Sequence, residues 1–488
     1  MRKISDASGL LLSVAVGLCA SACAARATGT PEASTNTAQV SGESVASPHA
    51  SPTNVEQTAS AIASSTTASG AASATNAASE TVPAPGANSP AVSIADAANW
   101  PQWRGPNRDG HAGGFQMPRA WPKSLKEEWK VTVGVGHASP IVSEGRVYVF
   151  ARQGEEEVLL CLDSATGKQL WRSAHAVAYE MNPAATGHGK GPKSTPVVAG
   201  GRVFTLGISG TLSAHDARDG RLVWRKDFSK QYPQTSPLYG TAMSPVVEGK
   251  LLVAHVGGHD KGALTAFDTE TGTVKWAYDA DGPAYSSPIV ATLGGERQII
   301  TFTQKEFVSV SAGTGKLLWK MPAKSSYDTN SVTAVAYKDT LILSLEGQGI
   351  MAVRPVKQGA TFTVREAWRN PENELYMNSP VVEGNRLFGL SMRKKGQFFC
   401  IDADTGKTLW QGPGRMGENA SILNLAGTLL LLTNEANLIV LPASAGGYAP
   451  AAQYTVATSP VWAHPAILSN RILVKDETTL ASLSVPDK

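Results

Sequence analysis

The sequence predicts an all-β chain: an eight-bladed β-propeller of four-stranded antiparallel blades, closed by an N-terminal strand that joins the C-terminal blade. Three observations predict it. First, an eleven-residue stretch from Cys161 to Trp171, C-L-D-S-A-T-G-K-Q-L-W, recurs. Its Asp163, Gly167 and Trp171 are matched by Asp216, Gly220 and Trp224, by Asp268, Gly272 and Trp276, and by Asp402, Gly406 and Trp410. Ser311, Gly315 and Trp319 repeat the spacing with serine in place of the acid. Fixed-period self-similarity marks a repeat architecture. Second, Ser139-Pro140, Thr195-Pro196, Ser244-Pro245, Ser287-Pro288 and Ser379-Pro380 each open an apolar pair, with the proline 28 to 31 residues before its tryptophan. A Gly-centred turn and another apolar run lie between, which makes four strands per repeat, the composition of a propeller blade. Third, the two ends of the repeat region are incomplete in complementary ways. Three strands remain at the C-terminus, near 465–468, 471–475 and 480–485, and one orphan strand, 125–133 with Trp129, lies at the N-terminus.

Each element follows from local chemistry. The apolar run before each Asp is a buried strand. The Asp carboxylate accepts backbone N–H bonds from the turn after it, and the glycine supplies a backbone angle other residues resist. A second strand ends in tryptophan. An isolated hairpin is marginal in water, and the indole is stabilised only when a neighbour buries it, so each unit needs the next. Trp171, Trp224, Trp276, Trp319, Trp368 and Trp410 mark six blades. Trp368 belongs to a degenerate copy with an insertion before it. A seventh copy runs from about 421 to 454, with Tyr454 at the tryptophan position, and joining the chain ends gives the eighth. Seven blades is the alternative count.

The 488 residues divide into four parts. Residues 1–23 read as an export signal: basic Arg2 and Lys3, an apolar core from Gly9 to Leu18, then Ala20-Ser21-Ala22-Cys23. Cys23 is either the lipidated first residue of a lipoprotein or a cysteine beside an ordinary cleavage site. Residues 24–97 are almost wholly Ala, Ser, Thr, Gly, Pro and Asn, too poor in apolar bulk to fold. As a coil they span on the order of 45–50 Å, which suits a tether. Residues 98–124 form an arm with Trp100, Trp103 and Trp121, read as a ligand lid or as a packing arm that covers part of the ring. Residues 125–488 are the propeller.

A net charge of +3 gives no basic or acidic character that points to nucleic acid or to anionic lipid. Cys161 and Cys400 occupy equivalent slots of non-adjacent blades, too far apart for a disulfide, and are expected as free buried thiols. The residues just before the innermost strands, His137, Lys193, Met243, Tyr285, Asn330, Asn378, Asn419 and His464, are expected to face the axis or upper face, with His137 and His464 converging from adjacent blades. Glu418 is the one acid beside them. A ligand site there would comprise His137, Lys193, Asn378, Glu418, Asn419 and His464, and the competing reading is a water-filled polar mouth. No H-E-x-x-H metal motif, nucleophile elbow or phosphate loop is present. The glycine-rich run 187–191 reads as a loop over the axis, and Glu155-Glu156-Glu157 as a solvated turn.

The repeat D-x-x-T-G-x-x-x-W, the Ser-Pro-Val-Val strand and the opening N-W-P-Q-W-R-G-P-N-R-D-G resemble pyrroloquinoline-quinone-like (PQQ-like) propellers, across residues 99–485. That resemblance implies one of two branches. Quinoprotein alcohol dehydrogenases are longer, carry PQQ and calcium on the axis, and have a Cys-Cys disulfide that this sequence lacks. The outer-membrane barrel-assembly lipoprotein branch is non-catalytic and about this size. The expected function is therefore a monomeric scaffold facing the periplasm or the cell exterior of a Gram-negative-type bacterium, possessing no cofactor and binding protein or peptide partners at rim loops or outer strands. Its only contact with a membrane would be the lipid on Cys23. The alternatives are a PQQ- and calcium-dependent dehydrogenase of alcohols or sugars, and a carbohydrate- or polymer-binding propeller using Trp100, Trp103 or Trp121.

Overall fold

The computed structural model describes residues 99–486. The export signal with Cys23 and the Ala/Ser/Thr-rich segment lie outside the described residues. Thirty-two strands form eight four-stranded antiparallel sheets. Blades 1 to 7 occupy residues 141–176, 197–226, 246–280, 289–322, 335–370, 381–411 and 420–455, each with strands in chain order from the axis outward. Blade 8 takes its inner three strands from residues 466–484 and its outer strand, β1 (Lys126–Thr132), from the N-terminus. The eight-blade count and the closure from both chain ends therefore hold, and seven blades is excluded.

The recurrent residues form one clasp, repeated around the outside. The Asp163 carboxylate accepts from the backbone N–H groups of Ala165 and Thr166 and from the Thr166 hydroxyl. Asp268 and Asp402 do the same in their turns. The glycine then adopts a positive φ, 70° at Gly315. A Cβ there would lie 2.5 Å from the Trp276 ring of the preceding blade, so the glycine is required twice, by its angle and by the indole pressed on it. The indole N–H completes the clasp: Trp276 donates to Ala312 O, Trp129 to Ser164 O, Trp224 to Thr269 O and Trp368 to Ala403 O. Each tryptophan stands opposite a small residue on the adjacent strand, Cys161, Ala214, Ala266, Ser309, Ala352, Cys400 or Ser482. The two cysteines are free and buried because that slot admits only a small side chain.

Blade 5 departs from the pattern. The insertion before Trp368 is not a loop. It lengthens the outer hairpin to two ten-residue strands, Gly349–Gln358 and Thr361–Asn370. With no Asp turn in blade 5, the Trp319 indole instead donates to Gln298 Oε1 in its own blade, at 3.0 Å.

Between blades lie apolar layers, each shared by two neighbours, such as Phe302, Phe307 and Trp319 with Leu341, Leu343 and Met351. Nearer the axis a belt of hydroxyls ties the inner strands. The N–H of Ser139 donates to Thr195 Oγ1, Thr195 to Ser244 Oγ, Ser244 to Ser287 Oγ, Ser287 to Thr333 Oγ1 and Thr333 to Ser379 Oγ. His464 N–H donates to Ser139 Oγ and carries the belt from blade 8 to blade 1.

The Trp-rich arm lies across one end of the axis. Trp100 exchanges two 2.8 Å backbone bonds with Val142 of blade 1, and Pro101 O accepts from Val198 of blade 2. Arg108 donates to Ser244 O and Pro245 O of blade 3, and Arg104 to Pro380 O before blade 6. Ala112 donates to Asn424 O of blade 7 and Gln116 to Ser469 O of blade 8. The arm thus closes that end of the axial channel.

Glu157 corrects the reading of 155–157 as a solvated turn. The turn is Gly154-Glu155, and Glu157 points inward from a strand. Fully buried, it accepts from the Ile208 N–H of blade 2 at 2.7 Å. Burial raises its carboxyl pKa to about 7.

Candidate functional site

The arm turns the axial channel into a pit of about 440 Å³, open at the other end, within the size range of ligand sites. Trp103 lines it from the arm, flanked by the guanidinium groups of Arg104 and Arg108 at 5.5 and 5.6 Å from its ring. The walls are built by one register position. Two residues before each belt residue stand His137, Lys193, Ala242, Tyr285, Ser331, Met377 and Trp462, and all seven line the pit. Side chains alternate along extended backbone, so this position and the belt face the axis together while the residue between them faces the blade.

That alternation sorts the sequence-predicted residues. His137, Lys193, Tyr285, Asn419 and His464 line the pit. Met243 is buried in the layer between blades 2 and 3. Asn330 donates to three backbone carbonyls, Thr303, Gln304 and Ala323. Asn378 is also turned away: its amide donates to Leu390 O and accepts from Leu390 N. These three were placed one or more residues out of phase, and a one-residue slip reverses the face. In blade 7 Asn419 holds the wall register, since Leu425 pairs with Thr428 as Ser143 pairs with Arg146 in blade 1, and Glu418 beside it is exposed, lining an adjoining groove rather than the pit. Sequence reading missed Trp462 and Met377, which the two-residue offset from the belt would have found, and Tyr239 and Tyr376, which come from connections with no repeat signature.

His137 and His464 line the same pit, each packed against a tryptophan. His137 stacks on Trp462, centroids 5.6 Å apart, and His188 from the loop after blade 1 stands edge-on to the same indole at 4.9 Å. The glycine-rich run 187–191 thus does bring a residue over the axis. His464 packs edge-on to Trp103 at 5.4 Å. Burial pushes both His137 and His464 down to about 3, helped by Lys193 near the first and Arg104 near the second. The rings are therefore neutral at pH 7. Lys193 Nζ donates to Tyr239 O at 2.6 Å, and burial lowers it to about 8. Of the tryptophans considered for carbohydrate, Trp100 is 1% exposed and unavailable, Trp121 packs on Phe115 and Tyr454, and only Trp103 faces the pit.

The fold group raises the question of PQQ and calcium. No Asp or Glu lines the pit. Calcium takes about six to eight oxygen ligands, carboxylates prominent among them, so this donor set does not fit a calcium-held quinone. Elsewhere His259, Asp260 and Asp328 approach one another. Lys305 Nζ, 2.7 Å from Asp260 Oδ1, already supplies the positive charge there.

A family profile described as outer membrane protein assembly factor BamB matches residues 154–412. The chain is 26% identical over 254 residues to the outer membrane protein assembly factor BamB of Shewanella oneidensis, covering 49% of this chain and 61% of that one. It is 28% identical over 169 residues to the quinoprotein ethanol dehydrogenase of Pseudomonas aeruginosa, covering 33% of this chain and 25% of that one. This chain therefore spans less than two thirds of the length of either relative. Among solved structures, the quinohemoprotein alcohol dehydrogenase ADHIIG of Pseudomonas putida superposes with a TM-score of 0.62 at 13% identity, covering 81% of this chain and 82% of that one, a likeness of fold. With more than half its length matched by the profile, the chain belongs to the outer membrane protein assembly factor BamB family of PQQ-like propellers.

Proposed function

We propose that this chain is a non-catalytic scaffold, exported from the cytoplasm, that binds protein or peptide partners at the open mouth of its axial pit. One observation carries the reading. Tyr327, Tyr376, Met377 and Met392 are among the large apolar side chains left exposed, at 76%, 39%, 39% and 50%, and all four border the pit or the groove of about 680 Å³ beside it. Grouped exposed apolar surface marks an interaction site, and flexible methionines suit a partner surface. The names of the BamB relatives agree with a role in assembly, and the absence of pit carboxylates argues against the dehydrogenase reading. Export by the 1–23 signal, with or without lipid on Cys23, belongs to the same proposal.

A photo-reactive residue at Met392, in cells, tests it, with a second at Leu170, which is exposed on the outer strand of blade 1. Discrete protein adducts are expected at 392 and not at 170. In parallel the purified chain is mixed with PQQ and calcium. Stoichiometric quinone binding with dye-linked oxidation of alcohols or sugars overturns the scaffold.

A further inference from the structure

Among the described residues, Lys193 is the one lysine or arginine that lines the pit, and no Asp or Glu lines it. Lys193 Nζ makes one hydrogen bond to protein, to Tyr239 O, and among the described residues no carboxylate comes within ion-pair distance of it. Beneath Trp103, Arg104 and Arg108 are 0% and 4% exposed and donate chiefly to carbonyls. Asp109, the acid nearest Arg104, is engaged with His111. An uncompensated charge in a half-buried site is costly, and a bound anion removes that cost. The Asn419 carboxamide, 8% exposed and on the pit wall, has no partner for its Oδ1. Since amide oxygen and nitrogen exchange places freely in such a site, it offers a second donor.

The surroundings narrow the anion. One ammonium balances one negative charge, which favours a carboxylate over a phosphate dianion. The rings of Trp103, Tyr239, Tyr285 and Trp462 and the Met377 thioether share the wall with the hydroxyl belt and the histidines, so an apolar group finds aromatic surface beside the carboxylate. The pit is also not a closed pocket. His188, Tyr376, Met377 and Trp462 line both it and the adjoining groove, which carries two basic residues, Lys395 and Arg415, and two acidic ones, Glu418 and Glu435. A ligand that fills the pit has somewhere to continue.

We propose that the partner enters as a chain end: a peptide whose free C-terminal carboxylate pairs with Lys193, whose last side chain fills the aromatic pit, and whose preceding residues lie in the groove. This rests on the scaffold reading and gives it a chemistry, carboxylate capture by a preformed donor site.

The test uses the purified full chain and a pool of octapeptides randomised at the last three positions, made with free and with amidated C-termini. Affinity of retained peptides is read by fluorescence anisotropy. Free acids are expected to bind about tenfold or more tighter than their amides, the ratio that one charge-assisted hydrogen bond supplies. Lys193→Met is expected to abolish that ratio and Lys193→Arg to keep most of it, with circular dichroism confirming that both fold. Equal binding of acid and amide overturns the chain-end inference while the scaffold stands. So does acid binding that survives Lys193→Met. Displacement of the peptide by inorganic phosphate at equal concentration also overturns it, because the pit then selects charge alone. No peptide binding of either kind, together with no adduct at position 392, removes both proposals.

Discussion

The outer rim and the axial wall of this propeller are both eightfold, and they differ in how they use the repetition. On the rim the same residues recur: seven outer strands carry tryptophan, five of these rings press on a glycine at positive φ in the next blade's turn, and four donate the indole N–H to that turn's carbonyl. On the wall one register position carries histidine, lysine, alanine, tyrosine, serine, methionine, asparagine and tryptophan in turn. A position whose task is to hold neighbouring blades together has one physical solution, and the chain uses it repeatedly. A position that faces a shared cavity contributes to a single asymmetric surface, so its residues differ by construction. The hydroxyl belt, two residues further along each strand, belongs with the rim in this respect, for it is Ser or Thr in six consecutive blades.

The largest effect is expected where the rim is broken. Trp276 is 7% exposed, covers Gly315 of blade 4 and donates to Ala312 O. Trp276→Ala leaves a cavity between blades 3 and 4 and is expected to cost about 3–5 kcal/mol, read as a lowered midpoint in urea. A loss below about 1 kcal/mol would mean that the clasp is not what holds adjacent blades.

A smaller effect, visible as a pH dependence, is expected from Glu157, which belongs to neither class. It is buried between blades 1 and 2 with Oε2 unpartnered and 3.7 Å from His175 Nε2. Burial raises its pKa from 4.5 to about 7 and lowers that of His175 to about 4. A raised carboxyl pKa means that the folded chain holds the proton more tightly than the unfolded one. Its favourable contribution is therefore complete below about pH 4.5 and is lost as pH rises through about 7. Glu157→Gln keeps an oxygen for Ile208 N–H and adds an amide that can donate to His175. The variant's melting temperature relative to the parent is expected to rise between about pH 4.5 and pH 7 and to level off on either side. A difference independent of pH would show that Glu157 does not titrate across that range.

How far the sequence reveals the molecule follows the same division. The rim was legible because Asp163, Gly167 and Trp171 recur at fixed spacing, and because recurrence fixes both the blades and their closure through Trp129. The small slot holding Cys161 and Cys400 was legible for the same reason, although its cause, the tryptophan directly opposite, required the strand register. The wall was only half legible. Side-chain phase just before a three-residue inner strand cannot be read from hydrophobicity, because the residues between wall and belt, such as Ala138, Met243 and Asn378, are buried against the blades and the belt residues after them are buried as well. Hence His137 and Lys193 were placed on the pit while Met243 and Asn378 were placed one residue out of phase. Glu157 was hidden by Glu155 and Glu156 beside it, since three consecutive acids look like solvent whichever way the strand turns. Tyr239 and Tyr376 lie in connections where no repeat constrains position.

The smallest effect on stability is expected on the wall itself, and there the comparison is sharpest. Met377 is 39% exposed, lines both the pit and the groove, and forms no part of any interblade layer. Met377→Ala is expected to move the urea midpoint by no more than surface substitutions do, about 0.5 kcal/mol. If the mouth is the partner surface, the same substitution weakens peptide binding, because a thioether that packs against the ligand is lost without loss of fold. Trp276→Ala should show the opposite pattern under conditions where it remains folded, with weakened stability and undiminished binding. Should Met377→Ala instead destabilise the propeller as an interblade residue does, the wall would be a second structural belt, and its varied composition would reflect eight different packing problems rather than one binding surface.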